Sequence, residues 1–203
     1  LLRPNSDLAI DFHTGTTGLK CDALNIGDRT IPEVKKMIDL FPVRQVWDSP
    51  AYAGVLHQAF VKAGIPSICP EVGAARVLNV EMIQQFVEGT MNVLKHHGII
   101  EGPMGRTAAD VGVFIGNGAF PVLATQGGYV EHFVKLYDKV TVGQKLTVQR
   151  NAFGEVVAEY VSTVDGEVGA LRSDASSEPG NVLVFILSNK GPAPKGADYG
   201  YPE

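Results

Sequence analysis

The stretch Leu8-Ala9-Ile10-Asp11-Phe12-His13, leading into Thr14-Gly15-Thr16-Thr17-Gly18, decides how the rest of the chain is read. Leu8 to Phe12, mostly apolar and followed by polar and glycine residues, has the profile of a short buried strand opening into a loop. In α/β proteins that strand end is where chemistry is kept. Side chains two apart on a strand share a face, so Asp11 and His13 are expected to project together toward the loop. A carboxylate that accepts the proton of one ring nitrogen leaves the other available as a metal ligand or base. Taken alone, however, Asp-Phe-His is read first as a structural histidine.

Downstream, the pattern alternates. Thr30 and Glu33 have the spacing of a capping box, and Val34, Met37, Ile38 and Phe41 recur at helical spacing. Val43 to Trp47 reads as a strand, and Ser49-Pro50 as the start of a helix that stops near Gly64. Ile65 to Glu71 reads as another strand, with Pro66 and Pro70 favouring an edge or an irregular end. The longest helical signal follows. Its apolar stripe is Val80, Ile83, Val87, Met91 and Leu94, with Glu81 at the start, Lys95 at the end and Gly98 as terminator. This alternation predicts an α/β sheet domain over residues 1–104.

Beyond about Gly102 the texture changes. Turns at Asn117-Gly118, Gln126-Gly127-Gly128, Phe153-Gly154 and Asp165-Gly166 separate β-rich runs at Lys145 to Val148, Val156 to Val161 and Val182 to Leu187. A small all-β domain over 105–190 and a tail over 191–203 are expected, with the boundary between Gly98 and Val111. Gly127-Gly128-Tyr129 reads as an ordinary turn.

The 203-residue chain is 45% hydrophobic, ordinary for a globular protein, and carries a formal charge of -5. No basic run is present, so nucleic acid and anionic membrane are not expected partners, and a small molecule is. No stretch approaches the roughly 18 apolar residues of a membrane span. Cys21 and Cys69 are too few for a disulfide framework, which makes a cytoplasmic location the default. The opening residues and the absence of an initiator methionine suggest a piece of a longer protein.

Glu71 is the second residue with chemical promise, since it follows an apolar strand and precedes Val72-Gly73. A buried carboxylate there would be costly unless paired or catalytic. Its plain reading is a solvated loop glutamate. His96 and His97 fit a helix end, where imidazolium favours the dipole; His57 falls in the second predicted helix and His132 in the β-rich part, and neither is assigned to metal. Cys69 is read as a small buried filler.

Asp7 to Gly15 resembles the Asp-Leu-His-Thr strand of the succinylglutamate desuccinylase/aspartoacylase family, whose fold is zinc-carboxypeptidase-like. Gly64-Ile65-Pro66-Ser67-Ile68-Cys69-Pro70-Glu71-Val72-Gly73 is similar to that family's Glu-Leu-Gly segment, and the two motifs come in the family's order. The resemblance implies a zinc-dependent deacylase of the mixed-sheet type followed by a barrel-sandwich-like domain. It implies that His13 is a zinc ligand, that Asp11 orients His13, and that Glu71 activates the attacking water on an N-acyl amino-acid-like substrate. One zinc ion is expected. The family's other ligands come from an upstream His-x-x-Glu motif that the chain does not contain, which implies a C-terminal portion of the enzyme. Alternatives are a non-catalytic fragment or binding protein of the same fold, and a zinc carboxypeptidase; the β-rich domain favours deacylation. The acyl group, the amine and the oligomeric state stay open, a homo-oligomer included.

Val134 to Gln144 further resembles the Gly-Asp-x-Val-x-x-Gly-Gln signature of lipoyl-like barrel-sandwich modules, with Tyr137 in place of the first glycine. The turn Asn151-Ala152-Phe153-Gly154 presents no lysine, so a covalently attached cofactor is not expected.

Overall fold

The computed structural model describes residues 5–50 and 54–191. They fall into two compact units, one built from 5–14, 23–73 and 78–115, the other from 15–22, 74–77 and 116–191. Strands and helices together make a mixed α/β fold. Among the described residues no helix is long and apolar enough to cross a membrane.

The elements that lie wholly or mainly in the first unit are β1 (Ala9–Ile10), β2 (His13–Gly15), β3 (Leu19–Gly27), α1 (Pro32–Asp39), β4 (Gln45–Asp48), α2 (Leu56–Lys62), β5 (Ser67–Ala74), α3 (Val80–His96), α4 (Ala108–Val111) and β6 (Phe114–Gly116). Its strand order is β1-β5-β3-β4-β6, with β2 also on β5. β1 lies parallel to β5, pairing Ala9 with Ser67 and Ile10 with Ile68. β4 lies parallel to β3 from Leu24 opposite Gln45 to Gly27 opposite Asp48.

Three sequence expectations are corrected here. Thr30 and Glu33 form no capping box: the α1 N-cap is Ile31, without a side-chain cap bond, and Pro32 occupies the first turn. Thr30 instead hydrogen-bonds Asp28 through both its backbone N–H and its hydroxyl, which removes it from the helix end. The second helix begins at Leu56 after the N-cap Val55, and not at Ser49-Pro50. The Ser49 N–H donates to the Gly27 carbonyl at 3.1 Å, prolonging strand pairing past β4; part of the intervening expectation, residues 51–53, lies outside the described residues.

The third concerns β5, which is not an edge strand but lies between β1 and β3. Its prolines are tolerated for a reason of parity. The carbonyls of Pro66 and Ile68 accept from Ala9 and Asp11 at 2.9 Å each, so even-numbered residues of this segment face β1. The N–H groups missing from Pro66 and Pro70 therefore point to that side, and Pro70 lies past the two-residue β1.

α3 forms as expected, capped by the Asn79 side chain, which accepts from the Met82 N–H at 3.1 Å, and ended by Gly98 at φ +66°. Its packing face differs. Phe86, Gly89, Asn92 and Val93 are buried, whereas Val80, Ile83, Val87 and Met91 are exposed. The helix is apolar on both sides, and the tightest fit selects the inner one: Phe41, fully buried, packs against Phe86 with ring centroids 6.2 Å apart. Asn92, also fully buried, donates to the carbonyls of Leu40 (3.0 Å) and Arg106 (2.7 Å) and accepts from the Gly105 N–H (2.7 Å). Val34, Met37, Ile38, Phe41, Ile68 and Val93 form the centre of this core.

The second unit is β-rich, comprising β7 (Gly118–Leu123), β8 (Gly128–His132), β9 (Lys139–Val140), β10 (Lys145–Arg150), β11 (Val156–Val161), β12 (Gly166–Arg172), β13 (Ser176–Ser177) and β14 (Val182–Ser188). β12, β14 and β7 pair antiparallel in that order, and β11, β10, β8 and β13 make a four-stranded antiparallel sheet. Leu146, Val168, Leu183 and Ile186 fill its core. Tyr137, where the barrel-sandwich signature has glycine, adopts φ +71°, the left-handed region that glycine ordinarily serves.

A Cβ on Gly89 would lie 2.2 Å from the Phe41 ring. Phe41 has no room to yield, so overpacking of about 1–3 kcal/mol outweighs the better helix propensity of alanine, roughly 1 kcal/mol. Gly89→Ala is therefore expected to lower the denaturant midpoint in equilibrium unfolding, and an unchanged or raised midpoint would contradict this packing.

Candidate active site

The ends of β1 and β2 and the outward face of β5 bring the sequence-predicted residues together. The Asp11 N–H donates to the Ile68 carbonyl at 2.9 Å, which locks Asp11 beside Cys69. β2 begins at His13 and pairs with β5. On β5, Ile68 and Val72 enter the apolar core, so alternation sends Cys69 and Glu71 to the opposite face. One ligand atom from each of His13, Cys69 and Glu71 lies within 4.8 Å of the others.

His13 Nε2 stands 3.2 Å from Asp11 Oδ1, and the two side chains are 50% and 12% exposed. Asp11 thus holds one ring nitrogen while the ring itself remains accessible. Burial drives the Glu71 carboxyl up to about 7, with the neighbouring His13 opposing and the Asp11 charge adding to the rise. A carboxyl poised there exchanges a proton near neutral pH. The Cys69 thiol is pushed up by burial, then by Glu71 and Asp11, which makes it a poor nucleophile.

Sequence reading missed His57. The histidine lies on the inner face of α2 with Phe60, 5% exposed. Burial lowers its pKa, opposed by Asp11 and reinforced by His13. Its ligand atom falls within 4.8 Å of those of Asp11 and Cys69. The available signal was the spacing of His57 and Phe60, three apart on one helical face, which marks His57 as inward-facing. A third group, Glu33, His96 and His97, sits at the end of α3, with His97 Nε2 3.2 Å from Glu33 Oε1. In the second unit His132 is a structural residue, bonded to the Thr147 hydroxyl through Nδ1 and to the Arg172 carbonyl through Nε2 at 3.0 Å.

A cleft of about 710 Å³ adjoins His13. Phe12, Val72, Ile83, Phe86, Val87 and Met91 make its apolar wall, with His13, Thr14 and Thr90 supplying polar atoms. Ile83, Val87 and Met91 of the exposed stripe of α3 are therefore part of the cleft wall.

Residues 1–97 match the family described as succinylglutamate desuccinylase/aspartoacylase catalytic domain. They belong to the succinylglutamate desuccinylase/aspartoacylase family. It is a family of deacylases, hydrolytic enzymes with small-molecule substrates. No curated protein sequence matches the chain. Among solved structures, the chain is similar to the ectoine utilization protein EutE (DoeB) from Ruegeria pomeroyi, in its apo form, with a TM-score of 0.82 at 20% identity over 92% of this chain and 61% of that one. It is likewise similar to the succinylglutamate desuccinylase/aspartoacylase from Rhodobacter sphaeroides, with a TM-score of 0.79 at 19% identity over 93% and 60%. An aspartoacylase family protein from Mesorhizobium loti gives 0.70 at 17% identity over 92% and 58%. At such identities the likeness establishes the fold, and the chain spans about three fifths of the length of these structures.

The raised pKa of Glu71 has a consequence for stability. Between its ordinary value of 4.5 and about 7, the unfolded chain releases this proton while the folded chain keeps it. Folding stability then falls as pH rises through that window. Glu71→Gln removes the penalty, so in metal-free thermal melts its melting temperature relative to wild type is expected to be higher at pH 8 than at pH 5. A difference independent of pH would show that Glu71 ionises normally.

Proposed function

We propose that this chain carries the proton-transferring part of a zinc-dependent deacylase that hydrolyses the amide bond of an N-acyl amino-acid-like substrate. The observation that carries the reading is an accessible imidazole, His13, held by Asp11 and set beside the partly buried carboxyl of Glu71. The donor set fits zinc: imidazole nitrogen and carboxylate oxygen are both ordinary ligands of that ion. Because Asp11 engages Nε2, Nδ1 of His13 is the nitrogen left to bind it. When bound, zinc would polarise the substrate carbonyl and lower the pKa of the attacking water.

The chain's own residues do the remainder. Glu71, once ionised, takes a proton from water at its carboxylate oxygen and returns it to the leaving amine. Asp11 keeps His13 in one tautomer and one orientation. The apolar wall beside His13 receives the uncharged part of the substrate, and its water is displaced as that part binds. The chain contains no His-x-x-Glu pair, so in this reading the remaining zinc donors belong to polypeptide outside these 203 residues. The β-rich stretch 105–190 stands as a barrel-sandwich-like domain in the same reading, supported by the left-handed Tyr137 at the signature's glycine position.

In steady-state assays of N-acyl amino acids with zinc-loaded enzyme, Glu71→Gln is expected to reduce kcat by about 10²–10⁴-fold, the range for a general base, while zinc content is unchanged. Wild-type activity is expected to rise with pH as Glu71 ionises, over a range that the charge of bound zinc moves below the value of about 7 set by burial. Turnover retained in Glu71→Gln would reject the base role.

A further inference from the structure

We propose that Asp11, His57 and Cys69 form a second metal site in the first unit, suited to a thiophilic divalent cation such as zinc. The three residues come from separate elements: Asp11 follows β1, His57 lies on α2 and Cys69 on β5. One ligand atom from each lies within 4.8 Å of the other two. Three atoms so disposed share a point no more than about 2.8 Å from each, and small side-chain rotations bring that to the roughly 2.0–2.3 Å of zinc–nitrogen, zinc–oxygen and zinc–sulfur bonds.

The polar atoms at this point lack partners. Both ring nitrogens of His57 are buried without a hydrogen bond, in a residue only 5% exposed. Asp11 Oδ2 is also buried and unpartnered, although Oδ1 faces His13. Each such atom costs about 1–3 kcal/mol when left unsatisfied, and a guest bound among these residues would satisfy one His57 nitrogen and the Asp11 carboxylate together. Sulfur, imidazole nitrogen and a single carboxylate oxygen select zinc-like ions over magnesium or calcium, which prefer oxygen alone. On binding, the Cys69 S–H bond breaks, the sulfur bonds the metal and the proton leaves to solvent. The Asp11 carboxylate and the Cys69 thiolate then balance the two positive charges, with His57 neutral.

The site needs neither His13 nor Glu71, although it shares Asp11 with the deacylase reading, in which Oδ1 holds His13. Cys69 also lies within 4.8 Å of the candidate ligand atoms of that pair, so the two sites adjoin through its sulfur.

Cobalt(II) titration of the purified 203-residue chain tests the site, because a cobalt–thiolate bond gives a near-ultraviolet charge-transfer band that nitrogen and oxygen ligands do not. One equivalent of cobalt is expected to raise the band in wild type, in Cys21→Ser and in the double variant His13→Gln/Glu71→Gln. It is expected to vanish in Cys69→Ser and in His57→Phe, with folding verified by circular dichroism. X-ray absorption of the zinc-loaded wild type adds a readout that needs no variant, with one sulfur scatterer among nitrogen and oxygen expected. Absence of the band and of the sulfur shell in wild type would overturn the site and leave water as the guest. A band that survives His57→Phe but is lost in His13→Gln/Glu71→Gln would overturn it in favour of a single site around His13, Cys69 and Glu71.

Discussion

Much of the first unit depends on the alternation of side chains along β5. Ile68 and Val72 enter the core on one face, each worth about 1.5–3 kcal/mol of burial. Because the strand period is two, Cys69 and Glu71 must then occupy the other face. The parallel pairing of β1 fixes the register, with Ile10 opposite Ile68, and so delivers Asp11 to Cys69 and His13 to Glu71. A one-residue slip would send Glu71 into the core and Val72 out. The apolar requirement on two residues thus positions the polar ones, and fold and chemistry share one constraint.

That polar face is charged and crowded. Asp11 raises the cost of ionising Glu71, and two imidazoles stand near the pair. In water such groups would pair with solvent; here burial removes that option and leaves Asp11 Oδ2 and both His57 nitrogens without partners. A face of this kind is a poor way to stabilise a protein and a good way to hold a cation and move a proton. On the other side of His13 the apolar cleft supplies the contrasting environment, closed by the outer stripe of α3.

The elements themselves were legible in the sequence wherever a strong period met a strong terminator. α3 with Gly98, α1 with its Val34, Met37 and Ile38 face, and the β-rich run after residue 102 all follow from local pattern. What escaped was decided by tertiary contacts. The outer stripe of α3 is as apolar as its inner face, and only the fit of Phe41 against Gly89 determines which is buried. Pro70 suggested an edge because the missing N–H is visible in sequence, while the shortness of β1 that excuses it is not. Asp11, His13 and Glu71 could be singled out as strand-end residues from pattern. Their convergence depends on β1–β5 pairing across some sixty residues of chain, and so does the approach of His57, which carries no local mark beyond its helical spacing from Phe60.

The central claim is that this face of β1, β2 and β5 is the chemical centre of the protein, and zinc-edge anomalous diffraction from crystals soaked in zinc tests it most directly. The account predicts an anomalous peak on the face formed by Asp11, His13, His57, Cys69 and Glu71. A peak confined to Glu33, His96 and His97 at the end of α3, or no peak at all, would contradict it.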